Sequence, residues 1–179
     1  MKFPLLNTFQ VDESTVSFLN RKFEEYSNSH SLVFPSKEND NYFITPTGVH
    51  TQNMCAWNDD EYQNFLDTTL IPMCAKELGM DRENVKLRFT HFFDYRKGGY
   101  VKPHTHCDCE DYVMFIYTKT CSSGHTIFYL NPINPDKTKV QLKPTSGLCA
   151  FFAGTLLHEA AYTNEPKRIF VVGVKIKTM

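Results

Sequence analysis

Apolar and polar side chains alternate with a period of two from Val85 to Tyr95. The odd-numbered positions carry Val, Leu, Phe, His, Phe and Tyr, whereas the even-numbered positions are mainly polar. This alternation predicts a β-strand whose odd-numbered side chains face a core. Turn-forming stretches rich in Gly, Pro, Asn and Ser divide the rest of the C-terminal half. They delimit further predicted strands at residues 100–108, 112–119, 125–130, 147–153 and 168–177.

The N-terminal half shows the longer period of helices. A first helix is predicted behind Asp12, a capping residue, because apolar side chains then recur on one stripe. A second helix is predicted to begin at Asn58 or Asp59 and to run towards Gly79, with a bend at Pro72. Residues 35–58 are rich in Pro, Asn, Thr and Gly and predict loops and short strands. The stripe of the first helix consists of Val16, Leu19, Phe23 and Tyr26.

The order of these elements predicts the fold class. Two helices ahead of an antiparallel set of strands indicate an α+β protein, mainly β, built on a jelly roll (double-stranded β-helix) with the N-terminal helices packed on one sheet. We expect a single domain over residues 1–179, with a helical part at 1–84 and a jelly-roll core at 85–177. A chain of 179 residues can bury such a core without disulfide or metal cross-links.

Composition and charge exclude several classes of function. The formal net charge of −1 argues against a nucleic-acid or membrane-surface binder, since both need an excess of basic residues. No apolar run reaches the roughly 18 residues of a membrane-spanning helix, and the apolar part of the N-terminus is too short for a signal peptide. We therefore expect a cytoplasmic protein. The six cysteines lack a framework spacing, so we expect reduced thiols.

The densest group of potential metal ligands is the run HTHCDC at residues 104–109. In a strand, His104, His106 and Asp108 would face one side and both cysteines the other. A third histidine, His158, follows about fifty residues later, and Arg168 lies ten residues beyond it on an apolar strand face. An unpaired buried arginine is costly, so an anion is expected beside it. These features are what a non-haem Fe(II) site with an organic-acid cosubstrate requires.

The sequence here resembles the Fe(II)/2-oxoglutarate-dependent oxygenase superfamily and, within it, the prolyl 4-hydroxylase-like branch. That branch carries the motif Tyr-x-x-Gly-x-x-x-x-Pro-His-x-Asp, and Tyr95, Gly98, Pro103 and His104 fall at the matching offsets. SSGHTIFYL and PTSGLCAFFAG resemble two further strands of the family. The resemblance covers about residues 85–177, and TGVHTQNMCAWNDDEYQNFLDTTL is similar to the helical lead-in of phage and bacterial members.

The resemblance implies that His104 and His158 hold Fe(II). In the matched register, His106 stands where the family has its aspartate, so a three-histidine site, as in cupin-type dioxygenases, is expected. Asp108 is the alternative third ligand if the strand bulges. In another register, residues 106–108 supply the family's His-x-Asp, but the match upstream is then lost.

The resemblance also implies a cosubstrate site and a reaction. Arg168 would bind the distal carboxylate of 2-oxoglutarate through its guanidinium fork, and Tyr95 would hydrogen-bond the same group. Tyr117 or Thr118 would join them, since only one of the two faces inward. The implied activity is that of a dioxygenase, hydroxylating a C–H bond of a peptidyl substrate, with proline the first candidate, or of a small molecule. Fe(II), O2 and 2-oxoglutarate would be used, ascorbate would support the iron, and succinate and CO2 would be released.

A cupin-type metal protein is a different interpretation of the same residues. Gly98, His104, His106 and Glu110 satisfy the start of the cupin metal motif, with His158 as the later histidine. Such a protein could be a dioxygenase that does not use 2-oxoglutarate. Arg168 separates the two hypotheses, because a cupin has no general need for a buried base there.

A non-enzymatic jelly-roll protein with a structural zinc site is the third hypothesis. It requires Cys107 and Cys109 to bind the metal together with the neighbouring histidines. Replacing both cysteines by serine should then unfold the domain, whereas an oxygenase should tolerate the change.

Overall fold

The structure is a computed structural model and describes residues 5–33, 48–106, 110–131, 133–134 and 138–177. Its α-helices are α1 (Glu13–Ser29), α2 (Asp60–Phe65) and α3 (Ile71–Leu78). A π-helical turn, Leu66–Leu70, joins α2 to α3, and short 3-10 turns lie at Met54–Ala56 and Arg82–Asn84. The strands are β1 (Leu6–Gln10), β2 (Gly48–His50), β3 (Val85–Tyr95), β4 (Val101–His104), β5 (Tyr112–Tyr117), β6 (Thr126–Tyr129), β7 (Lys139–Leu142), β8 (Leu148–Ala153), β9 (His158–Ala160) and β10 (Lys167–Ile176).

Helices begin or end at the residues that the sequence predicted as caps. The carboxylate of Asp12 accepts the backbone N–H of Thr15 at 2.6 Å, and that of Asp59 accepts the N–H of Tyr62 at 2.7 Å. Gly79 ends α3 in the left-handed conformation, at φ 61°. The predicted irregularity near Pro72 takes the form of the π-helical turn directly before α3, since proline has no N–H to continue the regular ladder.

Two antiparallel sheets form the jelly roll, which confirms the predicted fold class. One has six strands in the order β1-β8-β5-β10-β3-β2, and the other has four in the order β4-β9-β6-β7. The helices pack on the outer face of the six-stranded sheet, where Phe23 and Leu19 of α1 meet Phe92 of β3 and Phe170 of β10 in one core. A second core, which includes Phe115 and Phe128, fills the space between the sheets. The central strands β5 and β10 are therefore buried on both faces.

A β-bulge divides β3, and the prediction of one core-facing side for the whole strand is wrong. Gly173 of β10 pairs with Phe89, but the next residue, Val174, pairs with Leu87, so Arg88 is an extra residue in the ladder. One extra residue exchanges the two faces of a strand. Leu87 consequently packs under the helices, whereas Phe89 and the odd-numbered residues after it face the space between the sheets.

Two further features of the described residues bear on the sequence predictions. None of the helices in these ranges is long and apolar enough to cross a membrane. The thiols of Cys55, Cys74, Cys121 and Cys149 are free, as predicted for these four cysteines. The predicted strands do not include β1, β7 and β9, which are only five, four and three residues long.

Candidate active site

Three histidines meet at the end of the space between the sheets. His104 ends β4 and lies directly opposite His158, the first residue of β9, in the antiparallel pair of these strands. His106 follows two residues after His104, and one potential ligand nitrogen from each of the three imidazoles lies within 4.8 Å of the others. The structure thus brings together the three histidines that the sequence analysis names as candidate ligands. We call this group the histidine triad.

Backbone hydrogen bonds orient two of the three rings. The Nδ1 atoms of His104 and His158 lie 2.9 Å from the carbonyl oxygens of Lys102 and Leu156, respectively. A carbonyl can only accept, so each Nδ1 carries the proton and Nε2 is the unprotonated nitrogen of each ring. This is the arrangement in which proteins present histidine to a metal ion.

His106 faces a carboxylate in place of a carbonyl. Its Nδ1 lies 3.6 Å from Oε2 of Glu110, whose side chain is 7% exposed. The backbone N–H of Glu110 donates to the carbonyl of His106 at 3.1 Å, which holds the two residues next to each other. Burial raises the pKa of Glu110.

Burial keeps the imidazoles of the triad neutral at pH 7. It lowers the pKa of His158 to about 3 and that of His106 to about 4, and it also lowers the pKa of His104. Withdrawal from water is the largest cause in each case, and the neighbouring imidazoles add repulsion for His106 and His158. Neutral imidazole is the form that binds metal ions.

The same shifts predict acid sensitivity of the metal-free protein. His91, His106 and His158 have pKa values in the folded state of about 3, 4 and 3, below the ordinary 6.5. The unfolded chain therefore binds more protons below pH 6.5, and the free energy of unfolding should fall as the pH drops from 6.5 towards 4. The loss should reach at most about 2 kcal/mol per histidine at pH 5.

Thermal unfolding between pH 8 and pH 5 measures this effect. We expect His91→Phe to reduce the slope of stability against pH, because this variant removes one of the three buried groups. The matched change His30→Gln, at an exposed position, should leave the slope as it is. Equal slopes in wild type and His91→Phe would contradict the prediction.

The triad lies in the wall of a cavity of about 440 Å³ between the two sheets. The β3 side of this cavity is aromatic. The ring of His91 stacks on Phe89, with centroids 4.7 Å apart, and meets Phe93 edge-on at 4.6 Å. The rest of the lining is mainly aliphatic or aromatic, with some uncharged polar side chains such as Gln52 and Asn53. Glu159 contributes the one charged residue among the described residues that line the cavity. The chamber therefore suits an uncharged, largely apolar group.

One part of the cavity wall leads to a group of polar side chains, centred on Tyr95 and Thr126. Both residues line the cavity, and the Thr126 hydroxyl lies 2.5 Å from the hydroxyl of Tyr117. Behind Tyr95 lies Lys167, which is fully buried, with its Nζ 4.5 Å from the centre of the Tyr95 ring. This ammonium donates to the carbonyl of Gly124 at 2.5 Å, and burial lowers its pKa to about 8. No carboxylate of the described residues pairs with it.

Arg168 lies on the other face of β10, and the expectation that it borders the cosubstrate site is not supported by its position. Its side chain points towards α1, where Nε donates to Asp94 at 2.9 Å and Nη1 donates to Glu24 at 3.1 Å. Its guanidinium carbon also lies 3.5 Å from the centre of the Phe23 ring. Arg168 is an ion-paired residue of the helix-side core. The cavity side of β10 belongs to Lys167, Ile169 and Val171.

The remaining predicted residues divide in the same way. Tyr117 belongs to the core between the sheets, where its hydroxyl contacts that of Thr126, a residue of the cavity wall. Neither Tyr117 nor Thr118 is among the described residues that line the cavity. The Oγ1 atom of Thr118 is buried without a hydrogen-bond partner. Asp108, Cys107 and Cys109 lie outside the described residues.

Sequence reasoning missed Lys167 and the aromatic wall of β3. Two cations stand next to each other at 167 and 168, and both strand faces of β10 are apolar. The pattern alone therefore gave no reason to prefer the lysine. The pairing of Lys167 with Tyr95 across β10 and β3 is the feature that identifies it.

Solved structures of Fe(II)/2-oxoglutarate-dependent oxygenases share this fold. The α-ketoglutarate-dependent epimerase SnoN from nogalamycin biosynthesis matches with a TM-score of 0.76 and 11% identity, over 98% of this chain and 79% of its own. A prolyl 4-hydroxylase of Pseudomonas putida matches with a TM-score of 0.67 and 14% identity, over 97% and 94%. A prolyl hydroxylase of Trichoplax adhaerens, in complex with a hypoxia-inducible-factor peptide fragment, gives 0.70 and 12%, over 95% and 83%.

No family model matches the sequence, and no curated protein matches it in sequence either. The similarity is therefore one of structure, and at these identities it establishes the fold. The predicted resemblance to the oxygenases, including the prolyl 4-hydroxylases, is confirmed at that level and extends over nearly the whole chain.

Proposed function

We propose that this protein is an Fe(II)- and 2-oxoglutarate-dependent oxygenase that hydroxylates a C–H bond of a peptidyl or small-molecule substrate. One observation carries the proposal. The triad of neutral histidines lines an apolar cavity, and Lys167, which has no carboxylate partner among the described residues, lies buried behind Tyr95 in the wall of that cavity. The first can hold a metal ion and the second an organic anion.

The donor set fits iron. Three imidazoles that converge from one side leave the remaining coordination positions open to exogenous ligands. The carbonyls of Lys102 and Leu156 keep two of the rings in the tautomer that presents Nε2. Bound iron would supply the dioxygen chemistry that couples decarboxylation of 2-oxoglutarate to oxidation of the substrate. His104, His106 and His158 would hold it.

We assign the distal carboxylate of 2-oxoglutarate to Lys167 in place of Arg168. Among the described residues, this buried ammonium contacts one carbonyl and one aromatic ring, which is costly unless an anion joins it. Tyr95 and Thr126 line the adjoining cavity and carry hydroxyls that can donate to the same carboxylate. The guanidinium of Arg168 already has two carboxylate partners on the other face of the strand.

The walls of the cavity favour an uncharged reacting group in the substrate. Phe89, His91 and Phe93 form one side of the chamber in front of the triad, and His91 is the hydrogen-bonding residue among them. A prolyl ring and a small apolar ring both satisfy this requirement. The apolar lining also excludes water from the reacting atoms.

Succinate formation tests the proposal. Purified protein with Fe(II), ascorbate and 2-oxoglutarate should release succinate slowly without a substrate, and omission of Fe(II) should stop it. If no succinate forms, calorimetric titration of 2-oxoglutarate into the metal-loaded protein decides: binding retains the proposal and directs the search to substrates, and absence of binding contradicts it.

A dioxygenase that does not use 2-oxoglutarate is the second candidate. The observation that favours it is the histidine at the third ligand position, since three histidines form the metal site of cupin-type dioxygenases. The buried Lys167 argues against it, because such an enzyme needs no cation beyond the cavity wall. The calorimetric experiment separates the two candidates.

A further inference from the structure

We infer that Glu110 is the positioning residue of the metal centre: it orients His106 and supplies, from behind the imidazole, the negative charge that an aspartate ligand would place on the metal directly. The inference rests on the proposed function, because it assumes that the triad holds a divalent cation. It concerns a residue for which neither the fold nor the sequence motif of the oxygenases provides a role.

The charge of the triad is the starting point. Three neutral imidazoles leave a divalent cation with its full charge, whereas two imidazoles and a carboxylate would reduce it by one. The triad lies in a largely apolar cavity in which such a charge is poorly solvated. A carboxylate close to one ligand would compensate for the missing acid.

Glu110 meets this requirement by its position. Its Oε2 lies 3.6 Å from Nδ1 of His106, and the Glu110 side chain is 7% exposed. In the other two rings, Nδ1 contacts a backbone carbonyl oxygen instead. His106 is therefore the triad member whose Nδ1 faces an anion in place of a neutral acceptor. Such outer carboxylates fix the tautomer of a ligating histidine and increase its basicity.

The surrounding backbone is shaped to hold the Glu110 side chain in place. A Cβ at Gly173 would lie 2.8 Å from Cγ of Glu110 and 2.4 Å from the Phe89 ring, so only glycine leaves room for the carboxylate arm. A Cβ at Gly154 would lie 2.2 Å from the carbonyl oxygen of Glu110. Gly154 also accepts the backbone N–H of His106 at 2.7 Å. The two glycines thus leave space for the backbone and the side chain of Glu110.

An ordinary structural ion pair is the competing explanation for Glu110. Arg88 on β3 and Lys175 on β10 are the cations whose charges act on it, and Asp111 is the neighbouring anion. The ammonium of Lys175, however, hydrogen-bonds Asp111 at 3.0 Å. Within the part of the chain that the structure describes, His106 is the one cationic or proton-donating group in ion-pair range of the Glu110 carboxylate.

Metal affinity of the protein without cosubstrate tests the inference, with Co²⁺ as the titrated ion. Glu110→Gln keeps the shape of the side chain and removes its charge, and we expect the affinity to fall about tenfold. Asp111→Asn is the matched control, because it removes the charge of the neighbouring carboxylate. That carboxylate accepts hydrogen bonds from the Lys175 ammonium and from the backbone N–H of Ile176. The Co²⁺ affinity of Asp111→Asn should equal that of the wild type.

The same substitution in a His106→Asp background separates a role at the metal from a role in folding. In that background, the side chain at position 106 is a carboxylate without an N–H. Glu110→Gln should then cause no loss of Co²⁺ affinity, and it should relieve a repulsion between the two carboxylates. An equal loss in both backgrounds would assign Glu110 to the fold, and no loss in either would remove it from the metal site. Both outcomes overturn the inference. Absence of Co²⁺ binding by the wild type would overturn the proposed function as well.

Discussion

Lys167→Met is expected to weaken 2-oxoglutarate binding about 100-fold or more, whereas Arg168→Met should leave it unchanged. Methionine has nearly the length of lysine and no charge, so the substitution removes the cation and keeps the packing. A buried charge pair that loses one partner typically forfeits about 2–5 kcal/mol, which corresponds to this range of affinity. Calorimetric titration of 2-oxoglutarate into the Mn²⁺-loaded protein, without O2, measures the effect.

The two variants should also differ in stability. Arg168→Met is expected to be less stable than the wild type, and Lys167→Met equally stable or more stable. Arg168→Met leaves the carboxylate of Asp94, which is 24% exposed, without its guanidinium partner, and we expect a loss of about 2 kcal/mol in the free energy of unfolding. Lys167→Met replaces a buried ammonium by an apolar group and should be neutral or stabilising in the ligand-free protein. Lys167→Arg serves as the control, since it keeps the charge. Loss of binding in Arg168→Met, with normal binding in Lys167→Met, would return the role to Arg168.

The sequence predicted local structure well where one signal acted alone. The alternation over residues 85–95 matched β3 at both ends, and Asp12, Asp59 and Gly79 marked helix ends at their sites. These features depend on neighbouring residues, on capping and on period, which a single sequence displays. The jelly roll followed from the order of such elements.

The face of each strand was harder to predict, because the six-stranded sheet is covered on both sides. In a sheet with one wet face, alternation tells inside from outside, but β10 is buried along Lys167–Val174 on both faces. Both faces lead inwards there, one to the helices and one to the cavity. Arg168 faces inwards towards the helices, whereas a residue of the cosubstrate site has to face the cavity.

The bulge at Gly173 shows the same limit in another form. Nothing in the run from Val85 to Tyr95 announces that Arg88 is an extra residue, because the bulge arises from the partner strand. Gly173 has no Cβ, and that space is filled by the Phe89 ring and the side chain of Glu110. Packing between distant segments therefore decided which residues face the histidine triad.

The triad itself was predictable in part. His104 and His106 lie two residues apart, and the motif beginning at Tyr95 gave them a context. The position of His158 directly opposite His104 depends on strand pairing across more than fifty residues, which no local pattern encodes. The outer partner Glu110 appeared in the sequence only as one acid of the cupin-like spacing.

His158→Ala is expected to weaken metal binding at least about 100-fold and to reduce succinate formation to background. His158 is 7% exposed and its ring is held by the Leu156 carbonyl, so no side chain of the described residues can take its place between His104 and His106. His30→Ala, at an exposed position, is the control and should behave as the wild type. Co²⁺ titration followed by the succinate assay measures both effects in the same preparations.

The third ligand can be identified in the same experiment. His106→Ala should lose metal affinity, His106→Asp should keep it because a carboxylate can also bind a divalent cation, and Asp108→Asn should have no effect. Loss of binding in Asp108→Asn with normal binding in His106→Ala would make Asp108 the ligand. Loss of both metal and fold in Cys107→Ser/Cys109→Ser would instead support the structural zinc site, because only in that case do the thiolates hold the ion. Retained metal in the cysteine variant, together with its loss in His158→Ala, is the pattern that a three-histidine oxygenase centre requires.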